Sequence, residues 1–208
     1  MNQEDVPSPI DLKSIKDAQE WELKAMQRPF RLEFFEAFYQ QLSLIDEQPL
    51  KVLELGSGPG FLAEYLLSIL PNLNISLLDN SLAMHSLANK RLNKYLSHVK
   101  FIEVDFKQNN WNQGLDKYDA VITLQAVHEL RHKRYATELH KQVRPLIKST
   151  GVYLFCDHYY GQEGMKNNEL YMSIKEQYQS LDAANYSYKE VLNKGGRCLY
   201  NATIQEPK

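Results

Sequence analysis

The chain has 208 residues, 43% of them hydrophobic and 24% charged, the proportions of a folded globular protein. Its 24 basic and 26 acidic residues give a net charge of -2, which leaves no global pull toward nucleic acid or an anionic membrane. No apolar run reaches bilayer length. The polar, acidic start MNQEDVPSPI does not read as a secretory signal, and two isolated cysteines, Cys156 and Cys198, suit neither a disulfide framework nor a metal pair. The expectation is a reduced, cytoplasmic protein without a membrane or nucleic-acid partner.

Residues 1–10 carry two prolines and read as a mobile tail. Two helical patterns follow, Asp11 to Met26 and Phe30 to Ile45, separated by Pro29; residues 11–48 are expected to form an appended helical lid. A core is expected over 49–208. Lys51–Leu55 reads as a strand and runs into Gly56-Ser57-Gly58-Pro59-Gly60. Phe61 to Leu70 is helical up to Pro71. Asn74–Asp79 is a second strand, and Ser81 caps a helix to about Leu96. Val99–Asp105 is a third strand and Tyr118–Leu124 a fourth, followed by one helix to about Arg144. Gly151–Asp157 is a fifth strand and Leu170–Ala184 a helix. Tyr186–Asn193 and Arg197–Ile204 then flank Lys194-Gly195-Gly196 as a hairpin. Strands alternating with helices predict an α/β fold with a mostly parallel sheet, covered on both faces and closed by an antiparallel hairpin.

In such sheets ligands bind at the carboxyl ends of the strands, where the winding reverses. That rim carries the glycine turn, Asp79, Asp105, Gln125–Glu129 and Asp157–Tyr160. The glycines let the backbone turn tightly and approach a ligand, and the helix after them presents free N–H groups. A nicotinamide-binding turn needs glycine at position 61. Position 61 is Phe, and the third glycine comes one residue early.

On V-L-E-L-G-S-G-P-G (52–60), L-L-D-N-S (77–81), V-D-F (104–106), Y-D-A-V-I-T-L-Q-A-V-H-E-L (118–130), G-V-Y-L-F-C-D-H (151–158) and the K-G-G hairpin, the chain resembles the class I S-adenosylmethionine-dependent methyltransferases. The resemblance covers about residues 30–204. It implies a Rossmann-like sheet of seven strands, one of them antiparallel, and S-adenosylmethionine as cofactor. It also implies that Glu54, Gly56, Ser57, Gly58 and Gly60 surround the amino-acid end of that cofactor. By the same resemblance Asp79 binds the ribose with Asn80 beside it, Met84 packs on adenine, Asp105 and Phe106 sit at the adenine rim, and Gln125 faces the methionine portion.

His128-Glu129-Leu130-Arg131-His132 matches the zinc-binding spacing H-E-x-x-H. No third ligand follows, and on a regular helix His132 joins an apolar stripe with Tyr135, Leu139 and Val143, so no metal is expected. His128 and His158 follow the fourth and fifth strands onto the rim. Either suits the base or orienting group for an acceptor, with Glu129 as a further candidate. Trp21, Arg28 and Arg31 in the lid, and Tyr159 after the fifth strand, are candidate substrate contacts. The function expected is methyl transfer to oxygen or nitrogen of a small molecule. A non-catalytic binding protein of the same fold remains an alternative, and a nicotinamide-dependent oxidoreductase is disfavoured by Phe61 and the hairpin.

Overall fold

A computed structural model describes residues 4–205. Residues 1–3 of the expected tail and 206–208 of the expected core lie outside the described residues.

The apolar runs form strands β1 (Leu50–Leu55), β2 (Leu73–Asp79), β3 (Val99–Glu103), β4 (Tyr118–Leu124), β5 (Ile147–His158), β6 (Tyr186–Lys194) and β7 (Arg197–Ile204). They make one sheet in the order β3-β2-β1-β4-β5-β7-β6. β1 pairs in parallel with both β2 and β4, and β7 runs antiparallel between β5 and β6. The winding therefore reverses between β1 and β4, and the crevice there opens at the strands' carboxyl ends.

Successive strand residues point to opposite faces. Val52, Ile75, Ile122 and Leu154 pack under helices α2 (Arg31–Leu42) and α3 (Phe61–Ile69) through Phe34, Phe38, Leu62 and Leu66. Leu53, Leu78, Val121, Tyr153 and Tyr200 pack on the other face with residues of α5 (Ala136–Val143) and α6 (Ile174–Ala183). Helix α1 (Ile15–Ala25), started by Ser14, whose hydroxyl accepts from the Asp17 N–H at 3.4 Å, lies against α4 (Leu82–Arg91) through Ala18, Met84 and Leu87.

The single helix expected between β4 and Arg144 is a misreading. Two 3-10 turns, Val127–Leu130 and Lys133–Tyr135, precede the short α5. Arg131 takes a left-handed φ of 66° and His132 is extended at φ -159°, so the helical path breaks between the two histidines. The His132 ring instead accepts the Arg134 backbone N–H at 3.1 Å. The H-E-x-x-H spacing therefore never reaches a helix face, and among the described residues no three His, Cys, Asp or Glu side chains converge as a metal site.

Helix α6 starts later than the sequence suggests. Ser173 and Glu176 form a reciprocal cap, which leaves Leu170 and Tyr171 in the preceding loop. Residues 4–10 run beside the rim, where the Val6 N–H donates to the Arg131 carbonyl at 2.8 Å. The Arg131 guanidinium donates back to the Val6 carbonyl at 2.9 Å and to the Pro7 carbonyl at 2.8 Å. Among the described residues no helix is long and apolar enough to cross a membrane.

Candidate active site

A cavity of about 460 Å³ lies over the crevice and reaches from the glycine turn to the loop after β4. At one end, Gly56 and Gly58 turn the chain off β1 with φ of 64° and 55°. A side chain on Gly56 would place its Cβ 2.3 Å from that of Ala126, because Gln125, itself left-handed at φ 60°, brings the β4 loop directly over the turn. Beyond the α-carbon of Gly58 there is open space. The Gly58 N–H donates to Asp79 Oδ2 at 2.9 Å, and the Ser81 N–H donates to Oδ1 at 3.0 Å. Burial raises the pKa of Asp79, and these two bonds oppose the rise.

Beneath the turn sits Glu54. Burial pushes its carboxyl up to about 8, against the pull of Arg31. Arg31 comes from the first turn of α2 and is itself buried, with its guanidinium carbon over the rings of Trp21, Phe35 and Phe61 at 5.9, 5.3 and 5.5 Å. Its Nη1 donates to Gln125 Oε1 at 3.4 Å, while Arg31 Nε and Glu54 Oε2 are buried without a hydrogen-bond partner. Burial lowers the Arg31 pKa to about 10.

At the other end His128 lies between two acids. Its Nδ1 donates to Asp157 Oδ1 at 2.7 Å, its backbone N–H donates to Asp157 Oδ2 at 2.8 Å, and its Nε2 stands 3.4 Å from Glu129 Oε1. Burial opposes the imidazolium, but Asp157 and Glu129 outweigh it and hold the His128 pKa at about 10. Glu129 also takes Arg131 Nη1 at 3.3 Å. The Tyr171 ring lies 5.3 Å from that of His128.

Residues 52–151 match the family described as methyltransferase domain. A comparison with curated protein sequences gives no match. Among solved structures, an S-adenosylmethionine-dependent methyltransferase from Clostridium acetobutylicum ATCC 824 is similar at 13% identity and a TM-score of 0.71, with 92% of this chain and 98% of that one covered. An O-methyltransferase family protein from Burkholderia thailandensis is similar at 15% identity and a TM-score of 0.68, covering 84% of this chain and 57% of that one. The CurJ carbon methyltransferase is similar at 14% and 0.64, covering 78% and 50%. The chain thus spans only about half the length of the latter two.

Residues 52–151 thus carry a methyltransferase domain, on the fold that solved S-adenosylmethionine-dependent methyltransferases share.

Of the residues the sequence assigns to the cofactor, Glu54, Gly56, Ser57, Gly58, Asp79, Asn80, Met84, Asp105, Phe106 and Gln125 line the cavity. Gly60 does not: a Cβ there would stand 3.2 Å from Ala88 Cβ and from Leu92 Cδ1, so the glycine allows the close approach of α3 to α4. Trp21, Arg28, Arg31, His128 and Glu129 also line the cavity. His158 lies outside that lining, behind Gln125, whose amide nitrogen donates to His158 Nε2 at 2.5 Å. Burial, with His128 nearby, lowers the His158 pKa to about 4, so it sits there as a neutral acceptor that fixes Gln125. Tyr159, expected to contact substrate, is instead buried in the core on the α5–α6 side and does not line the cavity. Asp157, Tyr171 and Arg131 were missed. Asp157 stood in view on the rim, at the end of β5, and Ser173-x-x-Glu176 marked the true start of α6.

Proposed function

We propose that the chain moves a methyl group from S-adenosylmethionine to an oxygen or nitrogen of a small-molecule acceptor by in-line displacement. The observation that carries this reading is the continuity of one cavity between the Glu54–Asp79 end and the His128–Glu129 end. When bound, S-adenosylmethionine supplies a methyl on a sulfonium, which is a good leaving group.

The donor end fits that molecule's polar groups. The partnerless Glu54 Oε2 and Arg31 Nε offer a carboxylate for an ammonium and a guanidinium for a carboxylate. Asp79 keeps lone pairs free for ribose hydroxyls, and Phe106 and Met84 give an apolar slot for adenine. At the acceptor end His128 keeps its proton at neutral pH, so it orients the acceptor by donating from Nε2. Glu129, ionised and reaching the cavity surface, accepts a hydrogen bond there. The walls hold the acceptor in line and exclude water, an alignment worth up to about 7–11 kcal/mol in the best cases. The free, buried cysteines suit a reducing compartment, and cytoplasm is the location we assign.

Calorimetry with S-adenosylmethionine, S-adenosylhomocysteine and NAD tests the donor half: the first two should bind and NAD should not. For the acceptor half, His128→Ala should slow turnover at saturating acceptor about 10²-fold or more with S-adenosylhomocysteine affinity unchanged. Full turnover by that variant would remove His128 from the role.

A further inference from the structure

The acceptor end holds a cation that the protein itself does not neutralise. Arg28, in the link between α1 and α2, lies with its guanidinium carbon 5.1 Å from the centre of the Trp21 ring and faces the cavity. Among the described residues its side chain has no carboxylate partner and no hydrogen-bond acceptor. Its titratable neighbours are Arg31, Arg197 and His158, which repel it when charged, and the Tyr171 phenol, the one group that favours its charge. The acids at this end are taken up elsewhere. Asp157 binds His128, and Glu129 is shared by His128 and Arg131.

A half-buried guanidinium without an acceptor costs free energy, and a bound anion removes that cost. Burial also lowers the Arg28 pKa, the direction expected of a cation lacking its counter-charge. Trp21 and Tyr171 line the same cavity. One planar guanidinium fork matches one planar carboxylate.

Resting on the proposed function, we infer that the acceptor is a small planar carboxylic acid, whose carboxylate, distinct from the atom methylated, docks on Arg28 beside Trp21. Arg28 is then a specificity-determining residue, selecting the acid over its neutral analogues.

The test is methyl transfer from labelled S-adenosylmethionine into a small-molecule extract of the source cells, separated on an anion-exchange resin at about pH 8, far above carboxylate titration. The labelled product is identified by mass spectrometry. Its parent acid is then titrated into wild-type, Arg28→Gln and Arg28→Lys protein loaded with S-adenosylhomocysteine. The expected result is label in a retained compound bearing a free carboxylate. Arg28→Gln should weaken binding of that acid, and raise its KM, about 10- to 100-fold. Arg28→Lys should lose less, and affinity for S-adenosylhomocysteine should not move. Label confined to unretained compounds or to phosphate esters overturns the inference, as does Arg28→Gln weakening S-adenosylhomocysteine rather than the acid. Binding of S-adenosylhomocysteine with no label in any fraction overturns the proposed function, and the inference with it.

Discussion

At the donor end of the cavity the walls come from the tips of three adjacent strands, β1, β2 and β4, and the shape is set by backbone. At the acceptor end the walls come from segments far apart in sequence, such as Arg28, Glu129 and Tyr171, and the shape is set by side-chain ion pairs such as those of Glu129 with His128 and Arg131. On the proposed function, the difference follows from what each end recognises. A donor common to many enzymes is held by features that every copy of the fold can build locally. An acceptor particular to one enzyme is held by loops and added helices, which can vary without disturbing the sheet.

The sharpest way to break the donor end is through its backbone. Gly56→Ala adds a methyl 2.3 Å from the Ala126 Cβ at a residue held at φ 64°. Neither the turn nor the β4 loop can keep its place. The expected outcome is loss of S-adenosylhomocysteine binding by calorimetry and a fall in melting temperature. Gly58→Ala is the control within the same turn: φ is 55° but the space is open, so it should cost only about 1–2 kcal/mol of backbone strain. Equal damage from the two would mean that the approach of Ala126 is unimportant.

The acceptor end should break through charge. Asp157→Asn keeps the shape but offers an amide where Asp157 now accepts the His128 Nδ1–H, the His128 N–H and the His158 N–H at 2.7, 2.8 and 2.7 Å. One of these donors is left facing another donor. Turnover should fall about 10²-fold through misplacement of His128, and stability should fall by about 2–4 kcal/mol. In the wild type, the folded pKa of His128 is raised from 6.5 to about 10, so its stabilising contribution is complete below pH 6.5 and disappears as pH climbs through about 10. In Asp157→Asn, NMR of the imidazole should show it titrating well below the wild-type range. An unshifted imidazole would show that Glu129 alone sets its charge.

The same contrast explains what could be read from sequence. The strand runs are apolar, bounded by glycine, proline and aspartate, and the hairpin turn is Gly195-Gly196, so sheet, order of elements and glycine turn follow from local chemistry. The carboxylates Glu54 and Asp79 come with them, because each is fixed by its place at a strand end. Nothing local separates His128 from His158, since both leave a strand onto the rim. Only burial behind Gln125 makes one a neutral support and leaves the other at the cavity. The left-handed turn at Arg131 also has no sequence signal of the kind glycine gives. It broke a helix that the apolar spacing of Leu139, Val143 and Leu146 alone would have extended. Gly60 shows the opposite error: a residue of the right motif whose closeness to Ala88 is a packing requirement.

A smaller and more selective perturbation distinguishes the ends by pH. Burial raises the Glu54 carboxyl from 4.5 to about 8, so the free protein carries this proton at pH 7 while the unfolded chain does not. Its contribution to stability is therefore complete below about pH 4.5 and is lost as pH rises toward 8. An ammonium bound beside it favours the ionised form and reverses that balance. S-adenosylhomocysteine affinity should then rise with pH up to about 8, and calorimetry in buffers of different ionisation enthalpy should find proton release on binding at neutral pH. Glu54→Gln should flatten the pH dependence and weaken binding at the upper end by about tenfold, the value of one charged hydrogen bond. It should leave the imidazole titration of His128 untouched, because Glu54 is not among the groups that set it. A pH slope that survives Glu54→Gln would move the titrating group to Asp79, whose carboxyl is raised by burial in the same direction, and would reassign the ammonium to the ribose-side acid.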